Sequence, residues 1–235
     1  MSAGPTPADV ARLTPQVWRI RNRGFISNTY IALLEEQGNC IVIDPGLDLR
    51  RIEETLVHLQ VRPVGILCTH GHFDHIGSAA PLQDRFAAPV HLHPDDSGLL
   101  ARANFLMMIC KAEGRIHIPS VDVELVEGMD LRSGQDTIRV MHAPGHTPGS
   151  CLLQFRDVVF TGDTLYRDSA GLVKFPGEDQ RILRTSLLRA LDYLPDSSLV
   201  CPGHGGAGFL HEIKRNNHEL NMFLHLSDAP TRSQP

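Results

Sequence analysis

Between Thr69 and His75 the chain places three imidazoles and a carboxylate within six residues, in the run Thr69-His70-Gly71-His72-Phe73-Asp74-His75. The run follows an apolar stretch, residues 64–68, that reads as a short buried strand, and precedes residues 76–86, which read as a helix. The cluster therefore belongs to a strand-to-helix loop, the kind of place where a rigid scaffold carries a site. On an extended chain residues two apart point the same way, so His70 and His72 can close on one cation while adjacent Asp74 and His75 turn toward another. Imidazole and carboxylate donors without thiolate suit zinc, iron or manganese, with zinc the default for a His-rich hydrolytic site.

At 235 residues the chain can bury one sizeable core around such a loop. A hydrophobic share of 42% with 21% charged residues is that of a soluble globular protein. A formal charge of −5 supplies no broad basic field for nucleic acid or an anionic membrane, and no apolar run is long enough to cross a bilayer. The Pro- and Ala-rich start lacks the basic-then-apolar order of a secretory leader. Five cysteines, Cys40, Cys68, Cys110, Cys151 and Cys201, are odd in number and scattered, mostly in apolar stretches, as reduced thiols in a cytoplasmic protein are.

Residues 1–15 read as a flexible lead-in, 16–226 as one domain and 227–235 as a disordered tail. Strands are expected at 17–21, 27–34, 40–43, 89–94, 123–126, 137–142, 151–155, 158–161 and 199–201, besides the one before the His cluster. Helices are expected at 48–59, 99–113, 179–194 and 208–226; in the first, Leu49, Ile52, Leu56 and Leu59 share a stripe. That helix between two strands implies a parallel crossover. His91 and His93 imitate the metal spacing, but they lack an Asp-His pair and run into Pro94, which marks them as surface or sheet-edge histidines. The apolar residues 105–109 suit a core helix or a contact between copies, and alternatively a soft wall for an apolar substrate part.

Three later stretches repeat the theme of the cluster: Ala143-Pro144-Gly145-His146-Thr147-Pro148-Gly149-Ser150, Phe160-Thr161-Gly162-Asp163-Thr164-Leu165 and Cys201-Pro202-Gly203-His204-Gly205. Together with His-x-His-x-Asp-His and an earlier Ile43-Asp44-Pro45-Gly46, the chain resembles the metallo-beta-lactamase fold superfamily from Trp18 to about Phe209. Its wording is nearest the glyoxalase II-like, or hydroxyacylglutathione hydrolase-like, branch. The resemblance implies an α/β fold, a four-layer αββα sandwich of two mixed β-sheets flanked by helices. It also implies that His70, His72 and His146 bind one metal and Asp74, His75 and His204 a second, with Asp163 bridging. Two divalent ions in such a site share a water that becomes the nucleophile, and Asp74 orients it or moves its proton. Asp44, Thr69, Ser150 and Thr161 are expected to support the donors from behind.

The function implied is hydrolysis of a thioester or related acyl bond in a small-molecule substrate, with no nucleic acid or membrane partner and with a homodimer as one assembly. Leu172 stands where the branch carries a basic residue, Lys174 is out of register, and the helical part after His204 is short, departures that leave open whether glutathione is the carrier. Tyr166, three residues past Asp163, is where lactonases of the superfamily place a phenol that meets the substrate carbonyl; packing alone is the other reading. Lactone hydrolysis and mononuclear iron persulfide dioxygenation remain as alternatives. Asp163 points away from antibiotic hydrolysis, and His72, where a flavodiiron protein carries Glu, away from oxygen reduction. Arg167 and Arg181 read as solvated charges.

Overall fold

Residues 9–172 and 177–225 are described by the computed structural model. One sheet takes β1 (Val10–Arg12), β2 (Val17–Arg21), β3 (Asn28–Leu33), β4 (Asn39–Ile43), β5 (Arg62–Leu67), β6 (Val90–Leu92) and β7 (Val123–Glu124), side by side in that order. The other takes β8 (Asp130–Ser133), β9 (Asp136–His142), β10 (Cys151–Phe155), β11 (Val158–Gly162), β12 (Leu199–Pro202) and β13 (Gly208–Phe209). Both are mixed. Hairpins make β1 to β4 antiparallel, whereas α1 (Leu49–Leu59), then α2 (Phe73–Ile76) and α3 (Ala79–Phe86), return the chain so that β4, β5 and β6 run parallel. In the second sheet the helix α5 (Gln180–Tyr193), which follows α4 (Ser97–Ile109) in the chain, makes β12 parallel to β11.

Apolar side chains face inward from both sheets because each strand alternates its faces. Val17, Tyr30, Ala32 and Ile43 of the first sheet meet Ile138, Val140, Leu153 and Phe160 of the second, with the Tyr30 and Phe160 rings 5.2 Å apart. The outer face of the first sheet is covered by α1 to α4, and that of the second by α5, α6 (Leu210–Asn216) and α7 (His218–His225). Helix, sheet, sheet, helix is the layering the family resemblance implies.

Four local readings change. Residues 10–12, assigned to the lead-in, add an edge strand whose Val10 to Arg12 pair with Ile20 to Trp18; three residues are too few to display a period. The helix after the His cluster begins early, at Phe73, and breaks at Gly77, where a Cβ would lie 2.4 Å from Leu47 Cδ2, before α3 resumes. Asp130–Ser133 forms a strand that the sequence does not announce. Residues 208–226 are not one helix: β13 comes first, and Asn217 separates α6 from α7, its Oδ1 capping the Leu220 amide. Lys174, Leu226 and the tail lie outside the described residues.

Removal of the Phe160 ring from between the sheets should lower stability by about 3–5 kcal/mol. Phe160→Ala is therefore expected to move the urea midpoint far more than Met108→Ala, whose side chain is on the surface.

Candidate metal centre

Strand ends bring the candidate side chains together. His70 and His72 follow β5, His146 lies in the loop between β9 and β10, Asp163 follows β11 and His204 follows β12. Asp74 and His75 sit in the single turn of α2, where a carboxylate near the helix N-terminus is electrostatically favoured. All seven candidates gather at one edge of the sandwich, in overlapping groups: His70, His72 and His146; His70, His75 and Asp163; Asp74, His75 and His204.

The first group is bound by geometry that ordinary hydrogen bonding does not require. Nε2 of His70 and Nε2 of His146 both lie 3.1 Å from Nδ1 of His72. The three rings meet edge to face, at 84–89°. Nitrogens 2.0–2.1 Å from a tetrahedral cation are about 3.3 Å apart, so the spacing matches one shared ion. Asp163 joins this group to the rest: its Oδ2 is 3.5 Å from His146 Nε2 and 3.3 Å from His204 Nε2, and its Oδ1 is 3.5 Å from His75 Nε2. Asp74 Oδ2 lies 3.3 Å from His204 Nε2 and 3.5 Å from His75 Nε2.

Glycine is required where the loops press against these donors. A Cβ on Gly203 would lie 2.2 Å from Asp163 Oδ1, and one on Gly162, at φ +48°, would lie 2.3 Å from Thr69 Oγ1. Behind the donors, the buried Asp44 carboxylate accepts from the Thr69 amide and hydroxyl, each at 2.7 Å, and from His75 Nδ1 at 3.0 Å. The last bond turns His75 Nε2 toward the centre. Ser150 bonds to Thr147, beside His146, whereas the Thr161 hydroxyl closes its own turn on the Leu165 carbonyl.

Electrostatics divides the donors into two halves. Burial holds His70 and His146 below the ordinary imidazole range, and takes His72 down to about 4, so these rings are neutral with bare lone pairs. Burial also opposes charge on His75 and His204, but Asp74 and Asp163 outweigh it, pushing His75 up to about 9 and His204 to about 11. Against burial, those imidazolium charges hold Asp163 well below the usual carboxylate range and lower Asp74. Yet His75 Nε2 and Asp163 Oδ1 are buried without a hydrogen-bond partner among the described residues. Neutral imidazole nitrogens converging on one side, and acids paired with imidazolium on the other, are a donor set that fits divalent cations.

A cavity of about 410 Å³ opens over His72, Asp74, His146, Asp163 and His204, and its other walls include Phe25, Phe73, Cys110, Tyr166, Ser169 and Gly171. Tyr166 is buried and lines the same cavity as Asp163; burial first, and the nearby Asp163 carboxylate second, push its phenol up. Gly171, at φ +66°, lies flat on the Tyr166 ring, where a Cβ would overlap Cε2. Residues 105–109 form part of α4, as the core-helix reading expects, with Leu106 and Met107 entering the core and Phe105, Met108 and Ile109 facing solvent; the alternative, a wall for the substrate, is not formed by them, and only the next residue, Cys110, reaches the cavity. Arg167 pairs with Asp168 away from the cavity, and Arg181 is exposed at the start of α5.

The other histidine pair needs correction. His91 lies on β6, inside the sheet between β5 and β7, and both it and His93 are buried. His93 stacks on His142 with centroids 4.0 Å apart and planes within 6°, and Asp95 is beside them. Parallel rings do not aim their lone pairs at one point, which separates this group from the centre.

A sequence model of the metallo-beta-lactamase superfamily matches residues 23–204. The chain belongs to that superfamily. Among its members, a probable metallo-hydrolase of Bacillus subtilis, YqgX, is 32% identical over 88% of this chain and 98% of its own length. The hydroxyacylglutathione hydrolase GloC of Haemophilus influenzae is 30% identical over 80% of this chain and 90% of its own. The B3 metallo-beta-lactamase BLEG-1 superposes with a TM-score of 0.78 at 30% identity, covering 87% of this chain and 99% of that one. TTHA1623 in a di-iron-bound form gives 0.76 at 33%, covering 85% and 98%. No described helix is long and apolar enough to cross a membrane.

Since a cation must displace the protons of His75 and His204, the apparent affinity of their half should rise with pH, steeply up to about 9, where His75 itself deprotonates, and less steeply up to about 11, where His204 does. The His70, His72 and His146 half, already neutral, should respond far less above pH 7. Calorimetric metal titrations in buffers of different ionisation enthalpy report the protons released. Asp163→Ala should lose metal from both halves, as measured by metal content after dialysis.

Proposed function

We propose that this superfamily member hydrolyses a thioester or related acyl bond with two divalent ions, Zn²⁺ in the first instance. His70, His72 and His146 would hold one, Asp74, His75 and His204 the other, and Asp163 both. When bound, such ions lower the pKa of a coordinated water toward neutrality and polarise the acyl oxygen. The observation that carries the reading is that the donors line a cavity whose other walls include Phe25, Phe73 and Tyr166, so a reacting carbonyl can lie on the donors while apolar substrate atoms leave the water.

The chain's own groups then divide the work. Asp74 lines the cavity with its Oδ2 beside His204, placed to accept the proton of an attacking water and return it to the departing thiol or alcohol. Tyr166 carries a buried O–H at the cavity edge that can donate to the oxygen as negative charge develops there. Phe25 and Phe73, packed edge to face with centroids 5.0 Å apart, exclude water from the acyl side. The relationship to GloC supports a thioester, and Tyr166 supports a lactone as the second reading.

The test is the Zn²⁺-loaded protein against S-lactoylglutathione, an acyl-coenzyme A and an N-acyl lactone, with thiol release and ring opening as readouts. Turnover of a thioester that stops with a chelator and returns with Zn²⁺ is expected. Lactone opening alone selects the second reading, and oxygen uptake with glutathione persulfide by the iron form, without hydrolysis, overturns both. Tyr166→Phe should keep its metal and lose about 10²-fold in kcat; unchanged turnover would remove the phenol from the chemistry.

A further inference from the structure

Between β6 and α4 the chain makes a 3-10 turn, Pro94–Asp96, that ends on a carboxylate outside every ligand motif. Asp96 is fully buried. Its Oδ2 accepts from the Gly71 amide and from the Thr147 hydroxyl, both at 2.8 Å, and its Oδ1 accepts from the Gly149 amide at 2.7 Å. Gly71 is the residue between His70 and His72, and Thr147 follows His146. One side chain thus grips both loops whose imidazoles meet 3.1 Å apart, although it touches none of those nitrogens.

The loops are shaped for this grip. A Cβ on Gly149 would stand 2.7 Å from Asp96 Cγ, and one on Gly71 would stand 3.1 Å from its Cβ. Ser150 completes the arrangement: its Oγ accepts from the Thr147 amide at 3.0 Å and donates to Thr147 Oγ1 at 2.8 Å, which leaves the Thr147 proton for Asp96.

We propose that Asp96 is a positioning residue for the metal centre: its carboxylate sets the separation of the His70–His72 loop from the His146 loop and thereby the affinity of the three-imidazole half for its ion. The inference rests on the metal-centre reading and not on the substrate. A carboxylate is needed because all three partners are donors. In Asp96→Asn one oxygen remains, and the amide nitrogen must face an N–H of either Gly71 or Gly149.

The experiment titrates the metal-free full-length protein with Co²⁺, following its visible d–d absorption, with Zn²⁺ competition for the affinity. Asp96→Asn should weaken the first ion by about 10–100-fold, the usual effect of losing a group that orients ligands. Thr147→Val, which removes one of the three bonds and keeps the carboxylate, should weaken it less, and it decides the matter if Asp96→Asn does not fold. Leu56→Ala, in the core under α1, should lower the melting temperature and leave the affinity unchanged. Parent-like affinity in the folded Asp96 and Thr147 variants overturns the proposal, as does a loss in Leu56→Ala equal to that in Asp96→Asn. A parent that binds no Co²⁺ overturns the metal-centre reading and this inference with it. One that binds Co²⁺ but cleaves no thioester overturns the activity alone, and the affinities still judge Asp96.

Discussion

Nε2 of His70 and Nε2 of His146 approach Nδ1 of His72 to 3.1 Å inside the protein, and most of what surrounds them serves to keep them there. Each buried acceptor left without a donor costs about 1–3 kcal/mol, so unconstrained imidazoles would rotate toward other partners. The backbone denies them that freedom. Asp44 holds Thr69 and His75 from one side, Asp96 holds Gly71, Thr147 and Gly149 from the other, and glycines stand where loop and donor would otherwise collide. Preorganisation of this kind moves the cost of convergence from the moment of ion binding into the folding of the chain.

The same burial acts in opposite directions on the two halves. On His72, desolvation and the neighbouring His146 outweigh the pull of Asp74 and Asp163, and the ring remains neutral; on His75 and His204 the same two acids outweigh desolvation, and the rings charge. Asp163 touches both halves, so an ion entering either side alters the field felt by the other. Tyr166 lines the same cavity as Asp163, and that carboxylate adds to burial in keeping the phenol protonated.

Residue type alone does not make a centre. His93, His142 and Asp95 have the same chemistry within 4.8 Å, yet their rings lie flat on one another, whereas His70, His72 and His146 stand edge to face. The difference lies in the backbone: His70 and His72 leave the end of a strand into a helix turn, and His146 enters from a loop of the facing sheet.

Much of this was legible from the amino acids. Each candidate motif is local, a histidine or aspartate beside glycines at the end of an apolar run, so the seven candidates and the turn at Asp44 are readable without coordinates, whereas the layered fold follows from the family resemblance and not from the periodicities. Strands of three or four residues, such as β1 and β8, hold too little pattern to be seen. Asp96 resembles any solvated turn carboxylate, because its partners lie 25 to 53 residues away in the chain. Hydrophobic period and short motifs are properties of neighbours along the chain, so the amino acids alone indicate which side chains can ligate and near which strands they fall. Which histidines share a point, which rings are charged and what lines the cavity come from folding, because burial, ring orientation and the distance to an opposite charge arise between segments that meet only in the folded chain.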